Sequence, residues 1–233
     1  MAEFPSTSPL LYLVRHAQSA NNAQADEKRV NDPSITELGW HQALELGKHL
    51  LDIQARADEF ESLICSGFRR ALQTASQIQK QIGLVPEIMV DVHEHGGCYD
   101  GWNEKNFVGR PGLTAQEIVQ EFGPVKIPAD YPEIGWWESK PRETQEASGQ
   151  RAIKVSNQFS ERLKTSTGNL ICVTHADFLA KLLQAMFGPE IREHELFHDL
   201  KNVGMTVVGL EESCWKLYQL NSVDFLEPER VSS

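Results

Sequence analysis

Basic residues are scarce in this chain of 233 residues: 22 lysines and arginines stand against 33 aspartates and glutamates, and the formal net charge is -11. Nucleic acids and anionic membranes attract basic proteins, so this charge argues against either as the main partner. It also makes any cluster of arginines informative, because a locally positive pocket has to be built against the overall negative charge.

Long apolar runs are absent, and none reaches the length that crosses a bilayer. The first nine residues lack the basic and apolar regions of a secretory signal. The 4 cysteines form no C-x-x-C pair, and Cys65 and Cys172 fall in predicted buried strands, which favours free thiols. We therefore expect a cytoplasmic protein.

Short apolar strands alternate with amphipathic helices along the chain. Strands are predicted at 10–14, 63–65, 87–92 and 170–174. Helices are predicted from residue 37, with Thr36 as N-cap, at 69–82, stopped by Gly83, at 152–163, and at 178–187, ended by Gly188-Pro189. This alternation predicts an α/β fold, a three-layer sandwich with a mostly parallel sheet and helices on both faces. Two late strands, 204–210 and 215–220, are typical of a hairpin, so one edge strand is expected to be antiparallel.

The segment 94–149 is rich in glycine, proline and tryptophan and has one clear short helix, which Thr114 and Glu117 begin as a capping box. A long irregular insertion is usually a lid or a binding element. We interpret it as a cap inserted into a single domain that spans residues 1–233; the alternative is an insertion without function. Trp102, Trp136 and Trp137 are expected in the core of this cap, with lining of a pocket as the alternative.

Charged residues follow three of the predicted strands. Arg15 and His16 end the first strand, Arg69 and Arg70 begin the helix after the second, and His175 ends the fourth. An Arg-His pair alone is more often structural. Because the carboxyl ends of parallel strands meet at one edge of a sheet, the three ends together predict an anion site there.

Four motifs occur in order: R-H-A-Q-S-A-N-N at 15–22, S-I-T-E-L-G-W-H-Q-A at 34–43, S-G-F-R-R-A-L-Q-T-A at 66–75 and V-T-H-A at 173–176. With these motifs the chain resembles the histidine phosphatases, the phosphoglycerate-mutase-like superfamily, over most of its length. It departs from the family pattern at Ala17, where glycine is commoner, and at Gly67-Phe68, where Pro-Leu is frequent. The first change keeps a small residue and the second affects only a loop.

The resemblance implies a metal-independent phosphomonoester hydrolase that acts on a small phosphorylated metabolite without a cofactor. His16 would be the nucleophile that forms a phosphohistidine. Arg15 and Arg70 would grip the phosphoryl oxygens, since a guanidinium fork matches two oxygens at once. Asn22 fits the R-H-x5-N spacing and would donate an amide hydrogen, and His175 would complete the ring of donors, as an imidazolium when phosphate is bound.

The leaving alkoxide needs a proton, and the family usually places a glutamate after the third strand. Glu94 is the matching residue and is expected to act as general acid and then as general base. The sequence around it matches the family only loosely, so Asp91 and Asp100 stay as alternatives.

Other functions remain open from the sequence. A phosphoglycerate-type mutase is the nearest alternative, and a non-catalytic protein that binds a phosphorylated ligand is one of another class. A metallohydrolase would use the His-x-His pair His93 and His95 with His175 and Asp177.

Polar and charged residues of the cap are most simply surface residues, although one or two could recognise the rest of the substrate: Asn103, Lys105, Arg110, Lys140 and Arg142. Arg69 is expected to face solvent, and Ser66 is expected to be part of the scaffold. The charge and the few tryptophans fit a monomer as well as a dimer.

Overall fold

The computed structural model of the chain describes residues 8–56, 59–103, 106–188 and 200–233. Its strands are β1 Leu10–Arg15, β2 Phe60–Cys65, β3 Pro86–Ile88, β4 Tyr99–Asp100, β5 Val108–Gly109, β6 Asn169–Thr174, β7 Met205–Glu211 and β8 Cys214–Ser222. Its helices are α1 Ala20–Ala23, α2 Glu37–Gln54, α3 Arg69–Ile82, α4 Ala115–Phe122, α5 Gln145–Thr165 and α6 Ala176–Phe187. Short 3-10 turns lie at Asp26–Lys28, Val90–Val92 and Pro228–Arg230.

Six of the strands form one sheet in the order β3-β2-β6-β1-β7-β8. The neighbours β3, β2, β6 and β1 run parallel. In the register of β1 and β6, Val14 lies beside Val173 and Arg15 beside Thr174. The two central strands therefore end at the same level, and the residues that follow them emerge together.

Both faces of the sheet are covered, as the continuous burial of β1 requires. Tyr12 and Val14 belong to the core on one side, with apolar residues of α2 and α3. Leu11 and Leu13 belong to the core on the other side, with apolar residues of α5 and α6. The predicted three-layer α/β arrangement is confirmed.

The predicted hairpin forms one end of the sheet. β7 pairs antiparallel with both β1 and β8, so β7 is the strand that runs against the others and β8 is the edge. Glu212 and Ser213 connect them with φ of 49° and 66°. A two-residue turn of this left-handed kind matches the twist of paired strands.

The predicted strand at 87–92 is wrong in its last four residues, 89–92. β3 ends at Ile88 because its partner β2 ends at Cys65. The amide of Met89 still donates to the Cys65 carbonyl at 3.0 Å, and the amide of Val92 then donates back to Met89. The chain turns there, which carries the following residues over the end of the sheet.

Helix α5 begins seven residues before the predicted start at Ala152. Thr144 is its N-cap, with a side chain that accepts a hydrogen bond from the amide of Ala147. The predicted caps elsewhere are confirmed: Thr36 begins α2, and Gly83, with φ 79°, ends α3. Of the predicted end of α6 at Gly188-Pro189, Pro189 lies outside the described residues.

The segment 94–149 holds the small β4–β5 sheet, α4 and the first turn of α5. The predicted capping box of α4 is present, since Thr114 and Glu117 exchange hydrogen bonds. Trp136 is buried and packs edge-on against Phe68, with 4.6 Å between the ring centroids. A Cβ at Gly67 would lie 3.0 Å from the Trp136 ring, so glycine permits this close approach. The interpretation of the segment as a cap stays a prediction.

None of the described helices combines the length and apolar character that a bilayer span requires. Cys65, Cys98 and Cys172 are buried free thiols, and Cys214 is exposed. The expected core positions of Cys65 and Cys172 are therefore confirmed.

Candidate active site

Three elements meet at the carboxyl end of the sheet and bring the predicted site residues together. β1 delivers Arg15 and His16, the end of β6 delivers His175, and the first turn of α3 delivers Arg70. The amide of His16 donates to the Thr174 carbonyl at 2.9 Å, which joins the first two elements directly. All four side chains are buried.

The ring of His16 is held in one orientation and one tautomer. Its Nδ1 lies 2.7 Å from the carbonyl oxygen of Ala17, which only a protonated Nδ1 can satisfy as a donor. Its Nε2 accepts a 3.0 Å hydrogen bond from Nε of Arg70. Burial, followed by the charges of Arg70 and Arg15, holds the pKa of His16 well below its usual value. The ring is therefore neutral, with its lone pair on Nε2.

The backbone around His16 is anchored from the far end of the chain. Asn202 is buried, and its Nδ2 donates to the His16 carbonyl at 3.1 Å. Its Oδ1 accepts from the hydroxyl of Ser232 at 3.0 Å. The guanidinium of Arg15 donates to the carbonyl of Leu200. The sequence offered no signal for Asn202, since it belongs to no motif and its role depends on a contact across 186 positions.

His175 lies behind the cavity wall and has no exposed surface. Its ring centroid is 5.0 Å from that of His16, and its Nε2 is 2.9 Å from the hydroxyl of Ser66. The Phe68 ring meets it edge-on at 5.0 Å. Burial, then the charge of Arg70, holds the pKa of His175 well below its usual value. The expectation that it becomes an imidazolium with phosphate bound stays a prediction.

The carboxyl group of Glu94 is half-buried at the amino end of α6. One oxygen accepts from the amides of His95 at 2.8 Å and Phe178 at 3.0 Å. Burial, together with the nearby charge of Asp177, raises the pKa of Glu94 to about 6, although Arg70 and the two amides oppose the rise. A carboxyl group with this pKa can both give and take a proton near neutral pH.

A cavity of about 360 Å³ opens above these residues. This volume is in the usual range for small-molecule sites, which runs from about 300 to 1,000 Å³. The wall is made by sixteen residues: Arg15, His16, Ser19, Asn21, Asn22, Arg29, Arg70, Glu94, His95, Tyr99, Gly101, Trp102, Phe107, Arg142, Ala176 and Asp177.

Asn22 lies in this wall on the short helix α1. Its side-chain oxygen accepts from the amide and the hydroxyl of Ser19, at 3.0 and 2.9 Å. Those bonds occupy the acceptor and orient the carboxamide, so the NH2 group is the part that can serve a ligand.

Several candidates from the sequence lie away from the cavity. Asp91 pairs with Lys154 and Asp100 with Arg110, so neither alternative acid lines the cavity wall. Arg69 pairs with Glu121. Asn103 and Lys140 do not line the wall either, and Lys105 lies outside the described residues.

The two histidines that flank Glu94 have different surroundings. His93 packs between Trp136 and Trp137, with ring centroids at 5.3 and 5.0 Å, and burial lowers its pKa to about 4. His95 lines the cavity, with Nδ1 3.8 Å from a carboxylate oxygen of Glu143. Across the described ranges, no three histidines, cysteines or carboxylates lie together as metal ligands would.

Sequence reasoning missed several wall residues. Arg29, Tyr99 and Phe107 stand in loops or two-residue strands, where no periodic pattern indicates which way a side chain faces. Asp177, in the first turn of α6, was considered only as a metal ligand and is a wall carboxylate. Ser66 was expected to be scaffold, yet its hydroxyl contacts His175. Of the cap candidates, Arg142 lines the cavity, and so does Trp102, which is exposed and therefore lies outside the core where it was expected.

Comparison with known proteins gives a consistent result. Residues 11–223 match the model of the histidine phosphatase superfamily (branch 1). A 2,3-bisphosphoglycerate-dependent phosphoglycerate mutase from Cytophaga hutchinsonii is 25% identical over 230 residues, 94% of each chain. Phosphoserine phosphatase 1 from Hydrogenobacter thermophilus is 22% identical over 218 residues, 91% of each chain.

Solved structures share the fold. One is a phosphoserine phosphatase mutant from Entamoeba histolytica in complex with phosphoserine, with a TM-score of 0.61 and 17% identity. The alignment covers 94% of this chain and 100% of that one.

Proposed function

This chain belongs to the histidine phosphatase superfamily, and from that premise we propose that it is a metal-independent phosphomonoesterase that hydrolyses a small phosphorylated metabolite through a phosphohistidine at His16. The observation that carries the proposal is the neutral ring of His16. Its Nδ1 is committed to the Ala17 carbonyl, and its Nε2 lies in a cavity wall that also contains two buried arginines and a carboxyl group.

Substrate binding begins with the phosphoryl group. Arg15 and Arg70 bind its oxygens, since forked donors match two oxygens at once, and the NH2 of Asn22 adds a further donor. An incoming phosphoryl oxygen competes for Nε of Arg70, which in its absence points at Nε2 of His16. The substrate thereby frees the lone pair that attacks it.

The first chemical step forms a bond between Nε2 and phosphorus and breaks the ester P–O bond. The leaving alkoxide takes the proton of Glu94. The Ala17 carbonyl keeps its hydrogen bond to Nδ1–H and stabilises the positive charge that the ring gains. His175, which the hydroxyl of Ser66 orients, becomes an imidazolium and adds a hydrogen-bond donor for the phosphoryl group.

The second step returns the enzyme to its starting state. The carboxylate of Glu94 takes a proton from a water molecule, whose oxygen attacks phosphorus and breaks the P–N bond. Inorganic phosphate leaves, His16 is neutral again and Glu94 carries the proton needed for the next cycle. A pKa of about 6 suits both halves of this exchange.

The test is to trap the intermediate. Brief incubation with a panel of phosphomonoesters in excess chelator, followed by alkaline quenching and peptide mass spectrometry, should find a phosphoryl group on His16. His16→Ala should lose turnover and the modified peptide together, while His41→Ala, a helix-surface control, should keep both. Phosphate release by His16→Ala at the wild-type rate would refute the proposal.

A mutase is the second candidate, because the relative from Cytophaga hutchinsonii with that name aligns over 94% of both chains. A mutase must shield its phosphohistidine from water. Phosphohistidine at His16 with isomerisation of phosphoglycerate and no phosphate release would favour it. Phosphate binding without formation of phosphohistidine would favour a non-catalytic binding protein. Loss of activity in the presence of the chelator would favour a metallohydrolase.

A further inference from the structure

Arg142 sits in an aromatic clamp in the wall of the cavity that contains His16. Its guanidinium carbon is 4.6 Å from the centroid of the Phe107 ring and 5.3 Å from that of Tyr99. The two rings meet edge-on at 4.8 Å. Aromatic faces attract a guanidinium without neutralising its charge, so the clamp fixes the position of a cation and leaves it charged.

The backbone beside this cation is anchored. Gly96 has φ of 90°, and a Cβ there would lie 3.2 Å from Nε of Arg142, so glycine makes room for the side chain. The amide of Glu143 donates to the Gly96 carbonyl at 3.1 Å. The carboxylate of Glu143 accepts two hydrogen bonds from Arg151, at 2.8 and 2.7 Å. Arg142 is therefore held in place before any ligand arrives, which lowers the entropy cost of binding one.

The charge of Arg142 has no carboxylate partner among the described residues, and its Nε is buried without a hydrogen bond. Other cap cations do have one: Arg110 pairs with Asp100, and Lys140 with Glu138. Beside Arg142, His95 is only 5% exposed, and neither of its buried ring nitrogens has a hydrogen-bond partner in the part of the chain that the structure describes. The cavity wall thus contains polar groups whose bonding capacity no described residue uses.

The wall also holds an arginine that the phosphoryl group does not require. Arg142 lines it together with Arg15 and Arg70. The proposed mechanism uses two of these arginines, at the floor of the cavity. Arg142 comes from a different part of the chain, the loop before α5, and is available for another part of the ligand.

We propose that Arg142 binds a second anionic group of the substrate, a carboxylate or a second phosphoryl group, and so selects small phosphomonoesters that carry two acidic groups. The proposal rests on the phosphomonoesterase function proposed above. His95, beside Arg142, supplies a further hydrogen bond to the same group.

The test measures binding without turnover, in His16→Ala. Isothermal titration calorimetry compares 3-phosphoglycerate with glycerol 3-phosphate, which differ in a carboxylate against a hydroxymethyl group. A charge-assisted bond should make 3-phosphoglycerate bind about tenfold tighter or more. Adding Arg142→Gln should abolish this preference while changing the affinity for glycerol 3-phosphate by less than about twofold.

Two further variants control for charge and for position. Arg142→Lys keeps the charge but loses the planar group that packs against the two rings, so part of the preference should remain. Arg110→Gln removes a cap cation that does not line the cavity, so the whole preference should remain. A second pair of ligands, fructose 1,6-bisphosphate and fructose 6-phosphate, distinguishes the two kinds of anion. If the bisphosphate binds more tightly and 3-phosphoglycerate shows no advantage, the group that Arg142 binds is a phosphoryl group.

Three results would overturn the proposal. The two members of each pair could bind with equal affinity, or none of the four compounds could bind. Arg142→Gln could also weaken the binding of both members of a pair by the same factor. Turnover by the enzyme with His16 intact is read separately. Hydrolysis of esters with no preference for a second anion overturns the role of Arg142 alone. Preference without phosphohistidine at His16 overturns only the proposed phosphatase function.

Discussion

The Nε atom of Arg70 donates a 3.0 Å hydrogen bond to Nε2 of His16. The guanidinium of Arg70 therefore affects the proposed nucleophile in two ways. It hydrogen-bonds the lone pair on Nε2, and its charge adds to burial in keeping the pKa of the ring low. The Phe68 ring lies 4.0 Å beneath its central carbon and fixes its plane.

Arg70→Lys should lower kcat/KM by about 100-fold, because an ammonium keeps the charge and loses the fork and the stacking that aim it. Arg69→Lys is the matched control: this neighbour pairs with Glu121 away from the cavity, so its kcat/KM should stay within about twofold. Steady-state kinetics on the best substrate decide the matter. Equal losses in the two variants would show that the first turn of α3 matters only for folding.

The pH dependence of phosphoryl transfer to His16 should report Glu94. The first step needs the protonated acid, so its rate should fall as the pH rises through about 6. The pKa of His16 lies well below its usual value, so protonation of the nucleophile does not limit the rate in this range.

Rapid-quench measurement of phosphohistidine formation at a series of pH values isolates this step from hydrolysis. Glu94→Gln should remove the alkaline limb and slow the step by about 100-fold with an unactivated leaving group. A nitrophenyl leaving group needs no proton, so Glu94→Gln should slow phosphohistidine formation from a nitrophenyl ester much less. An unchanged alkaline limb in Glu94→Gln would assign the limb to the substrate phosphate instead.

Much of this site was predictable because it lies at the ends of regular elements. β1, β6 and α3 have clear periodic patterns, and a residue at the end of a strand is placed by the sheet itself, as Arg15 and His175 are. Arg142 and Asn202 were not placed from sequence. The first depends on two rings from another loop, and the second on the C-terminal residues folding back beneath β1.

The strand predicted at 87–92 was wrong because its extent also depends on a tertiary contact. The residues are apolar enough for a strand, but a strand needs a partner, and β2 ends at Cys65. The length of a neighbouring strand is tertiary information that the local pattern does not contain. The turn that replaces the strand is what brings Glu94 to the amino end of α6.

Ser66→Ala should lower kcat about tenfold with little change in KM, since the hydroxyl orients His175 and lies outside the cavity wall. Ser76→Ala is the control, because that hydroxyl donates to the Leu72 carbonyl of its own helix. Ser66→Thr retains a hydroxyl and should recover part of kcat. Loss of thermal stability in Ser66→Ala with an unchanged kcat would mean that the hydroxyl serves folding alone.

Asp32 is a buried carboxyl group whose charge the fold tolerates poorly. One oxygen accepts from the amide of Arg69 at 2.9 Å, and the other is buried without a partner. Burial raises the pKa of Asp32 from 3.8 to about 6, against the opposing charge of Arg70. A raised pKa in the folded state means that its contribution to stability is complete below about pH 4 and is lost as the pH rises through about 6.

Asp32→Asn keeps the acceptor for Arg69 and removes the charge, so it should raise the free energy of unfolding near pH 7.5 by about 2 to 3 kcal/mol. Near pH 4 the gain should vanish. Urea denaturation at both pH values measures this difference. Glu117→Gln should behave in the opposite sense, because hydrogen bonds from Thr114 lower the pKa of that exposed cap and its small contribution is lost as the pH falls. An Asp32→Asn protein that is less stable than wild type near pH 7.5 and equal to it near pH 4 would show that Arg70 needs the Asp32 charge more than the fold is harmed by it.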